Sequence, residues 1–280
     1  MGTAQSLMRI SAASVFDEPT VVSPMPPAVM LVFFGGAAFG AVALAGYWAA
    51  ARRDWLPIVC CVGAVVCGLN EPIFDVLGKI VYADNNVMAF TAFGRRIPLF
   101  LVIGYIPWVG LLPYVIARGM ATGWSARRLY AVSIAGVVSV AFTEFVNTFV
   151  KSWEYYGGSP LKFFGGVAAM ACVPLAGGFL LYALAFPLQG WKRLSAGFFI
   201  PLMTLPMMFA GVGLPLYLAL YTPASPLMRY LAVAALFVFI AVANVGIVKL
   251  TQFWQTATAS ALDRATHHGV QLGHLEQPRP

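Results

Sequence analysis

"AVMLVFFGGAAFGAVALAGYWAAA", residues 28–51, runs for 24 positions without one charged side chain. A bilayer hydrocarbon core of roughly 30 Å takes about 20 apolar residues in a helix, so this stretch reads as a membrane-spanning helix. The pattern recurs along the chain, in runs at 56–82, 97–117, 128–150, 163–187, 196–221 and 227–250. The expected fold is therefore an all-α bundle of seven transmembrane helices. Composition agrees: of 280 residues 60% are hydrophobic and only 10% charged, with a mean hydropathy of +0.82, far from that of an ordinary soluble domain. Pro72 interrupts the second run and Pro201, Pro206 and Pro215 the sixth; intramembrane prolines kink helices without ending them.

Outside the runs little remains. Residues 1–27 carry Arg9, Asp17, Glu18 and scattered prolines but no apolar core of a signal peptide, and are expected to form a mobile arm. Residues 251–280 are polar, hold His267, His268 and His274, and read as a tail. One membrane domain, 28–250, lies between them.

The net charge of +7 does not point to nucleic acid, because the basic residues pair up at helix ends, as at Arg52 with Arg53, Arg95 with Arg96, and Lys192 with Arg193. That is the pattern of lipid headgroups and topology. Ten of the 17 Lys and Arg fall in the first, third and fifth loops and the C-terminal segment, which favours a cytoplasmic C-terminus and an outside N-terminus. Cys60, Cys61, Cys67 and Cys172 all fall within runs, where they pack as small apolar residues, and imply no disulfide framework.

Few ionisable groups enter the spans. "LNEPIFDVLGK", 69–79, brings Glu71, Asp75 and Lys79, and the fourth run brings Glu144. Placing a carboxylate at mid-bilayer costs about 2.5–3.5 kcal/mol on insertion scales, so such residues face the bundle interior or a wet cavity. The i,i+4 spacing of Asp75 and Lys79 admits an ion pair, and Glu144, Asn147 and Asn244 suit interhelical hydrogen bonding. Glu71 stands apart, since Pro72 beside it has no N–H and leaves the carbonyl of Gly68 free.

"NEPIFDVLGKIVYADNN" (70–86) and "TEFVNTFVKSWEYYGGS" (143–159) echo one another. Each has a Glu, a polar residue three or four on, a Lys seven or eight on, then Tyr and a polar loop. The remainder does not align, so this is an echo rather than a repeat. Loops 83–96 and 151–162 are expected to cover one mouth, over a cavity walled by Phe74, Tyr82, Tyr105, Trp108, Phe142, Phe149, Trp153, Tyr155 and Tyr156. These aromatics, Phe149 apart, form with Asn147 the expected substrate-binding set, and Glu71, Asp75 and Glu144 the catalytic set.

The residues present narrow the chemistry. No histidine falls in any run, which removes His-ligated haem, di-iron and zinc sites. The chain also lacks an aspartate-rich diphosphate motif, a GxSxG elbow, a Walker A loop and a Rossmann fingerprint. No metal or cofactor is expected. What remains is acid–base chemistry on apolar substrates. A carboxyl enclosed by apolar surface can hold its proton at neutral pH and serve as a general acid, the role expected of Glu71. Protonating an olefin or an epoxide creates a carbocation, which aromatic faces stabilise while water is excluded. Asp75 or Glu144 would orient the acid or accept the final proton.

With its seven helices, a Glu in the second within "NEPIF" (70–74) and an aromatic-rich interior, the chain resembles the integral-membrane terpene cyclases of fungal meroterpenoid and bacterial indole-terpenoid pathways. The resemblance implies cyclisation of a prenyl chain by protonation rather than diphosphate loss, with Glu71 as the protonating acid. That family uses a second acid in its last helix. Here "VFIAVANVGIVKL" (238–250) offers only Asn244, so the second role passes to Asp75 or Glu144.

The expected function is thus a membrane-integral cyclase of an apolar isoprenoid, with that lipid-like small molecule and the membrane lipids as its partners. The alternative is a small-molecule transporter or receptor that uses the same carboxylates as proton or cation sites. A retinal protein needs a lysine in mid-span, whereas Lys249 falls at the end of the seventh run. The acidic groups gather towards one side, which favours a pocket with one mouth.

Overall fold

In a computed structural model of the chain, residues 18–158, 160 and 166–267 are described. The protein is a helical multi-pass membrane protein, and among the described residues six helical spans are long and apolar enough to cross a bilayer. α1 is Ala28–Arg52. The second span is composite: α2 (Leu56–Cys67), a 3-10 turn (Gly68–Asn70) and α3 (Glu71–Gly78). The third joins α4 (Leu99–Tyr105) to α5 (Leu112–Ala121) through a π-helical turn, Ile106–Leu111. α6 is Ala126–Val150, α8 Gly190–Tyr221 and α9 Pro226–His267.

The fifth run differs from expectation. It forms a 3-10 stretch (Gly166–Cys172), a short α7 (Val173–Leu180) and a π turn (Leu181–Ala185), and its apolar part, Ala169–Ala185, is shorter than a span. The second run also stops early. Lys79 adopts a left-handed conformation (φ 50°) that ends α3 at Gly78, and Ile80–Tyr82 continue as strand β1 rather than as helix. β1 pairs antiparallel with β4 (Trp153–Tyr155), matching Ile80 to Tyr155 and Tyr82 to Trp153. β2 (Met88–Ala92) and β3 (Arg95–Pro98) form a separate hairpin. The loops expected to meet over one mouth are joined next to the β1–β4 ladder, where the Ala83 N–H donates to the Ser152 carbonyl at 2.8 Å.

Two further expectations are corrected. Residues 18–27 of the N-terminal arm are tied down: the Ser23 hydroxyl donates to the carbonyl of Val150 at 2.5 Å, its N–H donates to Asn85 Oδ1 at 2.9 Å, and the Asp84 N–H donates to Val21 at 2.8 Å. Residues 1–17 lie outside the described residues. At the other end no break occurs at 250, because α9 continues to His267; His268 and His274 lie outside the described residues. Lys249 is consequently well inside a helix, though exposed rather than turned into the bundle.

α2 and α8 pack extensively against each other. Gly63 faces the backbone of Phe198, and a methyl group there would collide with the Phe198 carbonyl; Gly197 likewise makes room for Leu56. Three prolines do not divide α8, and the Thr204 hydroxyl returns a hydrogen bond of 2.6 Å to the Ile200 carbonyl within it. At the end away from the strands, Asp54 joins these elements by accepting from Tyr114 at 2.6 Å and pairing with Arg193 at 3.3 Å.

Candidate functional site

The two intramembrane glutamates face one chamber of about 310 Å³, at the small end of ligand-pocket volumes. Glu71 enters from the start of α3 and Glu144 from the last third of α6. Pro72 positions Glu71 differently from expectation: the helix tightens into the 3-10 turn, and the Glu71 N–H donates to the carbonyl of Gly68, which is therefore not free.

Each carboxylate is held by two aromatic donors. Tyr82 on β1 donates to Glu71 Oε1 at 2.8 Å, and Tyr105 on α4 donates to Oε2. Tyr155 on β4 donates to Glu144 Oε1 at 2.6 Å, and the Trp153 indole N–H donates to the same carboxylate at 3.3 Å. Because Tyr82 and Trp153 are cross-strand partners, the β1–β4 ladder fixes both carboxylates against one frame. Burial drives the Tyr82 hydroxyl well above the ordinary phenol range, with Asp75 and Glu71 adding to the effect; burial and then Glu144 do the same for Tyr155. Both phenols stay protonated and remain donors.

Of the expected set, Tyr82, Tyr105, Trp108, Phe142 and Trp153 line this chamber. Other members of the expected set do not. Phe74 packs on Phe209 behind the wall, with ring centres 4.8 Å apart. Asn147 caps the turn after α6, accepting the Ser152 N–H at 2.8 Å and donating to the Trp153 carbonyl at 2.8 Å, so its amide is consumed by backbone. Tyr155 acts through Glu144 rather than lining the chamber, Tyr156 accepts from Arg95 at 2.5 Å, and Phe149 is exposed. Asn244 is buried elsewhere, donating to Cys172 Sγ at 3.6 Å.

Asp75 is buried but looks away from the chamber, into a second pocket of about 180 Å³ lined by Glu18, Asp84, Arg95 and Arg96. The expected ion pair with Lys79 is not formed. The left-handed turn at Lys79 removes it from the helical register, and its ammonium instead sits 4.7 Å from the centre of the Tyr221 ring. Burial, then the nearby Arg229, pulls the Lys79 amine below the ordinary lysine range.

Sequence reasoning missed Phe33 and Phe34 on α1, Phe209 on α8 and Met170, all of which wall the chamber. The adjacent Phe33 and Phe34 were the available signal. Among the lining residues, Phe33 (48% exposed), Ala37 and Phe142 (55%) lie on the outer faces of α1 and α6, so the chamber opens sideways between these helices, towards the bilayer. An apolar chamber with a lipid-side mouth and two glutamates held by aromatic donors suits proton transfer to and from an apolar molecule. Among known proteins, no family model, curated protein or solved structure matches the chain.

Proposed function

We propose that the protein is a membrane-integral cyclase of an isoprenoid, with Glu71 as the acid and Glu144 as the base. The observation that carries this reading is the pairing of two glutamates across one apolar, aromatic-walled chamber that opens to lipid. Glu71 gives its proton to an olefin or epoxide, the new C–H or O–H bond leaves a carbocation, and ring closure follows against Tyr105, Trp108 and Trp153. Glu144 then takes a proton from the carbon next to the final cation, whose C–H electrons become a double bond, and releases that proton to solvent before the next cycle, so the reaction is an isomerisation with no net proton consumed. The lateral mouth suits a substrate whose reactive end enters while its tail stays among the lipids. Resemblance to the integral-membrane terpene cyclases assigns the same acid.

In this reading the chain crosses the membrane seven times. α6 ends at the strand side and α8 begins beside Asp54 at the opposite end, so the short segment Ala169–Ala185 makes the intervening crossing. The charge bias puts the strands and both glutamates towards the outside.

Product analysis by extraction and mass spectrometry tests the proposal, in cells supplying isoprenoid diphosphates, polyprenyl alcohols and their epoxides. A cyclic product made by the wild type and lost in a folded Glu71→Gln variant is expected. No product from any donor, with well-expressed protein, would overturn it.

A proton-coupled transporter is the second reading, and the polar pocket behind Asp75 is the observation that favours it. Transport requires Glu71 to be reachable from both aqueous faces. Carbodiimide labelling of oriented vesicles from each side separates the two, since a cyclase needs only one.

A further inference from the structure

Asp75 has no task in the chamber, yet it is the most fully buried acid in the site, at 0% exposure. It lies one helical turn from Glu71 on α3. Ile80 and Tyr82 line both the apolar chamber and the polar pocket, so they form the wall between the two, and the Glu71–Asp75 pair spans that wall. Neither Asp75 carboxyl oxygen has a well-formed hydrogen bond, although Glu71 and the Tyr82 hydroxyl lie within side-chain hydrogen-bonding reach and Arg95 is an electrostatic neighbour. A buried carboxyl without a well-formed hydrogen bond is costly, and such groups cluster at functional sites.

Glu71 has the complementary problem. Its surroundings are Tyr82, Tyr105, Asp75, Cys67 and Tyr217, and its chamber opens to lipid, which carries no protons to replace one given away. We propose that Asp75 is the proton inlet of the site, passing protons from the polar pocket through the Ile80–Tyr82 wall to Glu71.

The transfer balances in two steps. The Asp75 O–H bond breaks as its proton bonds to the Glu71 carboxylate, and the Asp75 carboxylate is then reprotonated by a water-borne proton in the pocket. Arg95, buried on β3, stabilises the Asp75 anion between the steps. It is itself held by Glu18 at 2.5 Å and by its bond to Tyr156. Tyr82, which donates to Glu71 and borders Asp75, completes the path. Glu144 has no counterpart: one turn on, Thr148 is exposed and bonds the Phe145 carbonyl of its own helix.

The inference rests on Glu71 as the acid, but its test is independent of turnover. Hydrogen–deuterium exchange of the Glu71 carboxyl is followed by infrared spectroscopy on the full chain in lipid nanodiscs. The pH is low enough that the group carries a proton, and its C=O band is assigned by difference against Glu71→Gln. Asp75→Asn is expected to slow exchange of that band on the order of a hundredfold, leaving the Glu144 band unchanged. Unaltered Glu71 exchange in Asp75→Asn would overturn the proposal. Should that variant not fold, Thr20→Cys carrying a bulky maleimide plugs the same pocket from its exposed rim; slowed exchange supports the inlet and unchanged exchange overturns it. Absence of any cyclic product would remove the cyclase reading and leave the exchange result standing.

Discussion

The Glu71 and Glu144 units are built alike and wired differently. In each, a glutamate in the last two turns of a span is followed 11 residues later by a strand tyrosine that donates to it, and each span ends on a lysine in the left-handed conformation, Lys79 at φ 50° and Lys151 at φ 52°. The echo in sequence is an echo in structure. The differences lie behind the carboxylates. The first unit has Asp75 and a polar pocket at its back, whereas the second has Asn147, whose amide is spent on the backbone turn. Similar front faces with unlike backing would let one plan supply the two proposed roles: an acid reloaded through a polar pocket and a base with no such pocket behind it.

The sharpest way to break this division is to neutralise each glutamate in turn. Glu71→Gln is expected to lower product formation by about 10²–10⁴-fold, the usual range for loss of a general acid. Glu144→Gln is expected to cost less, roughly tenfold, and to change the product mixture, because the cation then loses its proton elsewhere. Equal losses with an unchanged mixture, measured by mass spectrometry, would abolish the distinction.

The aromatic donors sharpen it further. Tyr105→Phe removes one of two donors to Glu71 and is expected to reduce turnover about 10- to 100-fold, as a hydrogen bond to a charged group is worth about 1.5–3 kcal/mol. Tyr155→Phe should reduce it less, because the Glu144 step is expected to weigh less on turnover than the Glu71 step, each carboxylate keeping one donor. Initial rates in nanodiscs decide the order.

Alkaline stability probes both units through Tyr82 and Tyr155. Their folded values are raised, so the stability they contribute is complete below the unfolded value near pH 10 and is lost as pH climbs from there towards the folded values. The loss is at most about 1.4 kcal/mol per pH unit for each phenol. Thermal melts between pH 8 and 11 should fall above pH 10, and fall less steeply in Tyr82→Phe and Tyr155→Phe.

The smallest effect is expected at the helix ends. Lys151→Gly relieves a left-handed residue on an exposed side chain and should raise stability by up to about 1 kcal/mol. The same change at Lys79 also removes the contact with Tyr221, so its net gain should be smaller or reversed.

The apolar runs and the acids within them were readable because length and charge are strong signals in a membrane chain. The strand Ile80–Tyr82 was not, since "IVY" prolongs an apolar run whether it is helical or extended, and only the long-range pairing to Trp153–Tyr155 decides between them. Phe33, Phe34 and Phe209 were hidden for a related reason: in a span, side chains facing lipid and those facing a chamber are equally apolar. Asp75 was placed with Glu71 because four residues return almost to the same helix face. The remaining offset of about 40°, with β1 as a partition, is enough to put it in another compartment.

The sideways mouth between Phe33 and Phe142 changes what concentration means for this protein. A molecule that enters there is drawn from the surrounding leaflet, so occupancy follows its mole fraction among the lipids and not its amount per volume of buffer. Acyl chains and detergent tails would compete for the same opening. Dilution with extra lipid at constant substrate should therefore weaken binding, while dilution with water leaves it unchanged.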